Sequence, residues 1–307
     1  MPSQAVAKAA NAEYNPKYVP TVVVFGGTSG IGEAIARTFA THTKGRAHII
    51  IVGRNKVAAD KIMATFPKPD QSIVANSTYE FVSCDVVSMK DIHVFNEDMK
   101  KKLSKINYLI LSAGTAGLGG RKDTEEGLDY KMAVRFYSRF AILHGLLPLL
   151  KNAQDAGEDA GVLSVLSTGH GKWVDFNDLG LKKRYSGFRA MFATAGYSDF
   201  MLQGFSKRAP GVAFVHSYPG LVDTGLFRSN NWLLNALLRP AAWLFTVSPQ
   251  QCGEWMVYGL LRSNGKFARI DDHGEDVGFA DLEFATDEQK KTFWKHCLSA
   301  VGLPEEW

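Results

Sequence analysis

The residues best placed to do chemistry near the start of the chain are three glycines, Gly26, Gly30 and Gly32. They follow the apolar run Val22-Val23-Val24-Phe25 and precede the amphipathic stretch Glu33 to Phe39. A buried parallel strand reads as an unbroken apolar run, and here the run stops where glycines let the backbone turn tightly. Such a turn exposes main-chain N–H groups at a helix N-terminus, where a phosphate can sit without meeting side chains. Thr28, Ser29 and Ile31 complete the turn and belong to the same candidate site.

Further groups fall at the ends of later strand-like runs, where ligands of open α/β sheets bind. Ile51-Val52-Gly53-Arg54-Asn55 closes the second run. A carboxylate there would accept a ribose 2′-OH and repel a 2′-phosphate. Gly53 and Arg54 offer room and a planar cation instead, with Asn55 beside them, so NADP(H) is expected rather than NAD(H). Cys84-Asp85-Val86 closes the third run. Asp85 could accept the adenine amino group while Val86 packs on the ring, or Asp85 could cap the next helix. Ser112, Ala113 and Gly114 close the fourth and let backbone approach the cofactor's middle.

These residues need a scaffold to position them. Strands are expected at Thr21–Phe25, His48–Val52, Tyr79–Cys84, Tyr108–Leu111, Val162–Leu166 and Val212–Ser217. Helices are expected at Ile31–Thr41, Val57–Phe66, Lys90–Leu103, Leu128–Leu150 and Gly187–Lys207. In the fourth helical stretch Met132, Phe136, Phe140, Leu143 and Leu147 share one face. Alternating elements of these lengths give right-handed crossovers. The expectation is an α/β Rossmann-type doubly wound parallel sheet in a single domain, residues 20–307. An N-terminal arm (1–19) precedes it, and it carries a C-terminal substrate lid at about 225–248.

The 307 residues suffice for one large core, and 46% apolar with 21% charged residues is the balance of an ordinary soluble enzyme. The net charge of +4 is scattered, with no Lys/Arg stripe interleaved with aromatics, so nucleic acid is not an expected partner. Cys84, Cys252 and Cys297 are far apart and lack metal-ligand spacing, which predicts reduced thiols in a cytoplasmic compartment and no metal site. Residues 1–18 lack the apolar core of a signal peptide. No stretch approaches the roughly 20 apolar residues that span a bilayer. Trp232–Phe245 is apolar enough to touch a membrane surface, yet covering an apolar pocket is its expected role.

Together these motifs resemble the short-chain dehydrogenase/reductase superfamily over roughly Pro20 to Gly302. The glycine turn matches the family's, with Phe25 where a Thr is usual, and Asp85-Val86 matches its adenine-site pair. Ser112-Ala113-Gly114 is what survives of its Asn-Asn-Ala-Gly strip. Pro219, Gly220, Val222 and Thr224 preserve the Pro-Gly-x-Val-x-Thr element that hugs the nicotinamide in that family. Thr124–Asp129 and the segment 232–261 are most similar to retinol-dehydrogenase-like members. Otherwise the chain resembles a divergent branch common in fungi, which implies a role in secondary metabolism.

The resemblance implies catalysis by an Asn, a Ser, a Tyr and a Lys, and here the chain departs from it. Arg135 stands at the Asn position, while Ser167 matches the serine that orients the carbonyl. No Tyr-x-x-x-Lys occurs in the expected window. The nearest substitute is Tyr185 with Arg189, four residues on and so on one helical face, although Tyr185 lies about one turn further from Pro219 than the family's tyrosine. A guanidinium could favour phenolate as the family's lysine does. Tyr197, with Met201 in place of a base, and His170 are reserve proton donors. The expected activity is NADP(H)-dependent hydride transfer to or from a hydrophobic carbonyl, enone or imine-like molecule. Leu226, Phe227, Trp232, Leu233, Leu234, Leu237, Trp243 and Phe245 are expected to wall its entrance. The altered set leaves open a cofactor-retaining isomerase or cyclase and an inactive NADP-binding protein. Family members are often homo-oligomers through their long helices, a point on which this sequence is silent.

Overall fold

Val23, Phe25, Ile50, Val52, Leu109 and Leu111 pack on one face of the central sheet, and Val22, Val24, Ile49, Ile51 and Ile110 on the other. A strand covered on both sides has no polar face to show, which is why these runs are apolar throughout. The computed structural model describes residues 1–68, 77–115, 117, 119–168, 174–224, 246–279 and 285–305. Its strands are β1 (Thr21–Phe25), β2 (His48–Gly53), β3 (Tyr79–Ser83), β4 (Tyr108–Leu111), β5 (Gly161–Val165), β6 (Ala213–Ser217) and β7 (Phe267–Ile270). They lie in the order β3-β2-β1-β4-β5-β6-β7 with every pairing parallel. This is the doubly wound sheet the sequence predicts, with β7 as an additional strand. The order reverses between β1 and β4, and that switch point is where such sheets open a ligand crevice.

The helices are α1 (Gln4–Ala12), α2 (Gly30–His42), α3 (Lys56–Met63), α4 (Met89–Lys102), α5 (Tyr130–Met132), α6 (Ser138–Asp155), α7 (Gly187–Arg208), α8 (Pro249–Arg262) and α9 (Asp287–Ala300). Helices α1, α2, α3 and α8 cover one face of the sheet, and α4, α6, α7 and α9 cover the other.

Besides β7, α8 and α9, which lie beyond the expected elements, two features depart from the expectation. Residues 4–12, read as arm, form α1: Ser3 Oγ accepts from Val6 N at 3.3 Å, Ala7 is buried, and Asn11 Nδ2 donates to a Glu254 carboxylate oxygen at 2.8 Å. Its buried positions are an alanine and an asparagine, which give little apolar signal. The helix expected over Leu128–Leu150 is interrupted. A π-turn at Ala133–Tyr137 separates α5 from α6, which continues to Asp155. Such wide turns recur at functional sites.

Of the expected lid, residues 225–245 and all eight wall residues lie outside the described residues. Beyond them Val247 pairs with Val222 in a parallel bridge and Ser248 caps α8. Among the described residues no helix is long and apolar enough to cross a membrane.

Candidate active site

A crevice of about 620 Å³ opens at the carboxyl ends of β1 to β4. Its floor is the turn leading into α2. Gly26 has φ +78°, and a Cβ there would stand 2.6 Å from the main-chain nitrogen of Ala113. At Gly32 a Cβ would stand 2.4 Å from the carbonyl oxygen of Gly26. Neither position admits a side chain. Ser29 is the N-cap residue of α2 but makes no side-chain capping bond, so the first N–H groups of the helix are left unclaimed by a cap. Thr28, Ser29, Gly30 and Ile31 line the crevice, whereas Gly32 sits beneath it.

At the far end, Arg54 Nη1 and Asp85 Oδ2 lie 3.7 Å apart, their side chains 69% and 39% exposed. An ion pair this open contributes at most about 1 kcal/mol, so the guanidinium is readily diverted to a stronger anion. The other Asp85 oxygen accepts from Val87 N at 3.0 Å, and Val86 lines the wall beside it. Asn55 does not line the crevice: its Oδ1 accepts from Ala58 N at 3.0 Å and caps α3. Cys84, also on the wall, has its thiol pushed up to about 12 by burial and then by Asp91 and Asp85, which makes it inert.

Ser112, Ala113 and Gly114 line the middle, and Thr115, Tyr130 and Val134 extend the wall toward the π-turn. Pro219, Gly220 and Val222 are not among the lining residues, and Val222 is buried in the core shared with α2 and α8. Thr224 reaches back to the turn, its Cγ2 3.3 Å from where a Cβ on Gly30 would lie.

Ser167 follows β5 and is held from behind. Its N–H donates to His216 Nε2 at 3.4 Å, and His216 Nδ1 meets Asp199 Oδ1 at 2.6 Å. With Nε2 accepting, the imidazole carries its proton on Nδ1 and donates it to the carboxylate. Arg269 Nε lies 3.4 Å from the same Asp199 oxygen and donates to Thr168 Oγ1 at 2.9 Å. Asp199, His216 and Arg269 are all fully buried. Sequence reading missed this clamp, whose only signal is a lone His in an apolar strand and a lone Asp in an apolar helix.

Tyr185 and Arg189 are not brought together as expected. Ser186 is the N-cap of α7, so Tyr185 precedes the helix and shares no helical face with Arg189. The Tyr185 hydroxyl donates to Asp129 Oδ1 at 3.1 Å and accepts from Lys131 Nζ at 3.2 Å. Burial and then Asp129 push the phenol up to about 12, the reverse of what a phenolate-stabilising partner does. Arg189 instead donates to the carbonyl of Arg184 at 3.3 Å. Tyr197 is a core residue whose hydroxyl donates to Leu179 O at 2.8 Å, and His170 lies outside the described residues.

Arg135 sits in the π-turn, its Nε donating to Thr194 Oγ1 at 3.2 Å and its Nη1 to Thr115 O at 3.4 Å. One turn on, the fully buried Arg139 donates to Ser164 Oγ at 2.7 Å, Ala113 O at 2.8 Å and Val165 O at 2.9 Å, tying the ends of β4 and β5 together. Burial brings Arg135 down to about 10; burial, then the charge of Arg135, brings Arg139 down to about 9. Both are cations at neutral pH.

Asp271, Asp272 and His273 bring ligand-type atoms within 4.8 Å of one another. An Asp271 oxygen accepts from the backbone of His273 at 2.9 Å and Glu275 at 3.0 Å, and the imidazole meets Asp272 at 2.9 Å, so the cluster is a self-satisfied turn.

The model of the short chain dehydrogenase family matches residues 20–175. Oxidoreductase andH of Emericella variicolor is 30% identical over 84% of this chain and 74% of its own length. Polyprenol dehydrogenase of Mus musculus is 25% identical over 94% of this chain and 88% of its own. The NADPH-bound carbonyl reductase from chicken fatty liver superposes with a TM-score of 0.60 at 18% identity, covering 85% of this chain and 99% of that one. With the parallel sheet and the glycine turn at its switch point, the matches lead to one conclusion: the chain belongs to the short-chain dehydrogenase family of oxidoreductases.

Proposed function

We propose that this family member is an NADP(H)-dependent enzyme moving hydride to or from a hydrophobic carbonyl, enone or imine-like small molecule. The observation that carries the reading is the crevice itself. Its floor excludes side chains at Gly26 and Gly32 next to an uncapped helix N-terminus, and its far end has Arg54 beside Gly53 where a carboxylate would select NAD(H). Gly26, Thr28, Ser29, Gly30 and Ile31 would hold the pyrophosphate, Arg54 with Asn55 nearby a 2′-phosphate, and Asp85 and Val86 the adenine. Ser112, Ala113 and Gly114 would hold the middle, and the Pro219, Gly220, Val222 and Thr224 element the nicotinamide side. Bound there, the cofactor supplies hydride chemistry.

The chain's own groups bind and orient. Ser167 offers a hydroxyl to the substrate oxygen, with its loop fixed by His216 and Arg269. Arg135 supplies positive charge where the family has an amide. Tyr185, bonded to Asp129 and Lys131, stays a neutral phenol at physiological pH, and Arg189 acts only at the rim. The relative named for polyprenol supports an apolar substrate. The Emericella relative is compatible with secondary metabolism, and three buried free thiols with a reducing cytoplasm.

Titration with NADPH and with NADH, followed by nicotinamide fluorescence, tests the cofactor. Adding apolar ketones, enones and imines while following absorbance of the reduced ring tests the reaction. Tighter NADPH binding, and consumption lost in Ser167→Ala with binding retained, is the expected result. NADPH bound but not consumed, with rearranged product, would favour the isomerase reading. Failure to bind either dinucleotide would overturn the proposal.

A further inference from the structure

Arg139 is a buried cation and Arg135 a half-buried one, and the described residues provide neither with a carboxylate. Among the described residues their partners are hydroxyls and carbonyls alone. The segments 169–173 and 225–245, which follow the site's own strands, contain no Asp or Glu at all. Burying a charge without an opposite charge is costly, and proteins avoid it. Elsewhere among the described residues it is avoided: the other fully buried guanidinium, Arg269, lies on Asp199.

The two arginines differ in how far they are compensated. Arg139 has three short bonds into the ends of β4 and β5, although its buried Nε has no acceptor among the described residues. Arg135 has only two long bonds, at 3.2 and 3.4 Å, so most of a guanidinium's donors are uncommitted. It is not itself a lining residue of the crevice but stands directly behind its wall. Val134 beside it and Tyr130 below it line the wall, and its Nη1 rests on the carbonyl of Thr115, a third wall residue. The anions of a dinucleotide have other partners, the α2 N-terminus and Arg54.

We infer that the crevice beside Arg135 is a subsite for an oxygen anion on the substrate, a carboxylate or the enolate or phenolate oxygen of a conjugated carbonyl compound, with the Arg135 fork as its partner. The inference rests on the NADP(H)-oxidoreductase reading and narrows it. A planar fork matches a carboxylate's two oxygens and strengthens any developing oxyanion. The neighbouring Arg139 adds field of the same sign in a poorly screened interior. A cationic imine would meet two like charges there, so of the substrates named above the imine-like class is disfavoured.

The test uses the full chain saturated with NADP⁺ and titrated calorimetrically with matched probes. One arm compares 2-naphthoate with 2-naphthamide; the other compares an ionised nitronaphthol with its methyl ether. We expect at least one anion to bind about tenfold or more tighter than its neutral partner. The arm that shows the preference identifies the kind of oxygen. Arg135→Gln should reduce that preference to within about twofold while NADP⁺ affinity is unchanged, and Arg135→Lys should keep part of it. Equal affinity for anion and neutral probe in the parent protein overturns the inference, as does a preference that survives Arg135→Gln. Should Arg135→Gln fail to fold, the parent comparison and Arg135→Lys decide. NADP⁺ affinity is measured first: its absence sinks the cofactor reading, whereas normal NADP⁺ binding without anion preference sinks this inference alone.

Discussion

The two sides of the crevice are made in opposite ways. Around β1 and β2 room is obtained by leaving side chains out: Gly26, Gly32 and Gly53 each abut backbone or a neighbouring side chain where a Cβ would be. Around β5, β6 and the π-turn the space is filled with charge, part of it balanced (Asp199 with His216 and Arg269) and part of it not (Arg135 and Arg139). A side made of absences offers backbone N–H groups, which do not depend on the identity of side chains. A side made of paired and unpaired charges depends on which side chains stand there.

The largest effect should come from unbalancing the balanced part. Asp199→Ala takes from the buried Arg269 the carboxylate that lies on its Nε and leaves His216 without its acceptor, and should cost about 3–5 kcal/mol in urea unfolding. Arg135→Gln removes a cation that has no counter-charge among the described residues and should change stability by no more than about 1 kcal/mol in either direction. Equal losses in the two variants would erase the distinction between paired and unpaired arginines. On the glycine side, Gly26→Ala adds a Cβ 2.6 Å from Ala113 N at φ +78°. The strained backbone and the overlap together should cost about 3 kcal/mol and abolish dinucleotide binding, read by thermal melting and fluorescence.

Acid should attack the charged side first. His296 Nε2 accepts from the hydroxyl of Tyr137, the last residue of the π-turn, at 2.8 Å, and burial with the nearby Lys182 lowers the imidazole to about 4. The unfolded chain therefore takes up a proton that the folded chain refuses. Stability is complete above the ordinary imidazole value and is lost as pH falls from about 6.5 toward 4, by about 3 kcal/mol. Unfolding free energies across that range should lose most of this slope in His296→Gln. An unchanged slope would assign acid sensitivity to carboxylates elsewhere.

How much of this was legible follows from the same contrast. Val22–Phe25 and His48–Val52 announce buried parallel strands because each lies under helices on both faces, and the glycines at 26, 30 and 32 announce a turn because nothing else fits there. Those signals are local. The Asp199–His216–Arg269 clamp and the Arg139 strut join residues 17 to 101 positions apart, and no spacing rule marks them. The Tyr185–Arg189 pairing failed on one local detail, the Ser186 cap that starts α7 after the tyrosine rather than before it. Helix α1 and the π-turn were missed because small buried residues and a single extra residue barely disturb the apolar period.

The smallest effect tests whether the glycine side also holds a choice. Arg54 is largely exposed and its 3.7 Å contact with Asp85 is weak, so its removal should leave stability unchanged. Arg54→Asp places a second carboxylate next to Asp85, where it would accept a ribose 2′-OH and repel a 2′-phosphate. NADPH affinity should fall relative to NADH by about 10- to 100-fold, or about 1.4–2.8 kcal/mol, in parallel fluorescence titrations. The repulsive part should shrink as salt is raised, since both charges face water. A ratio that does not move would mean that dinucleotide choice, like substrate choice, is made on the charged side of the crevice.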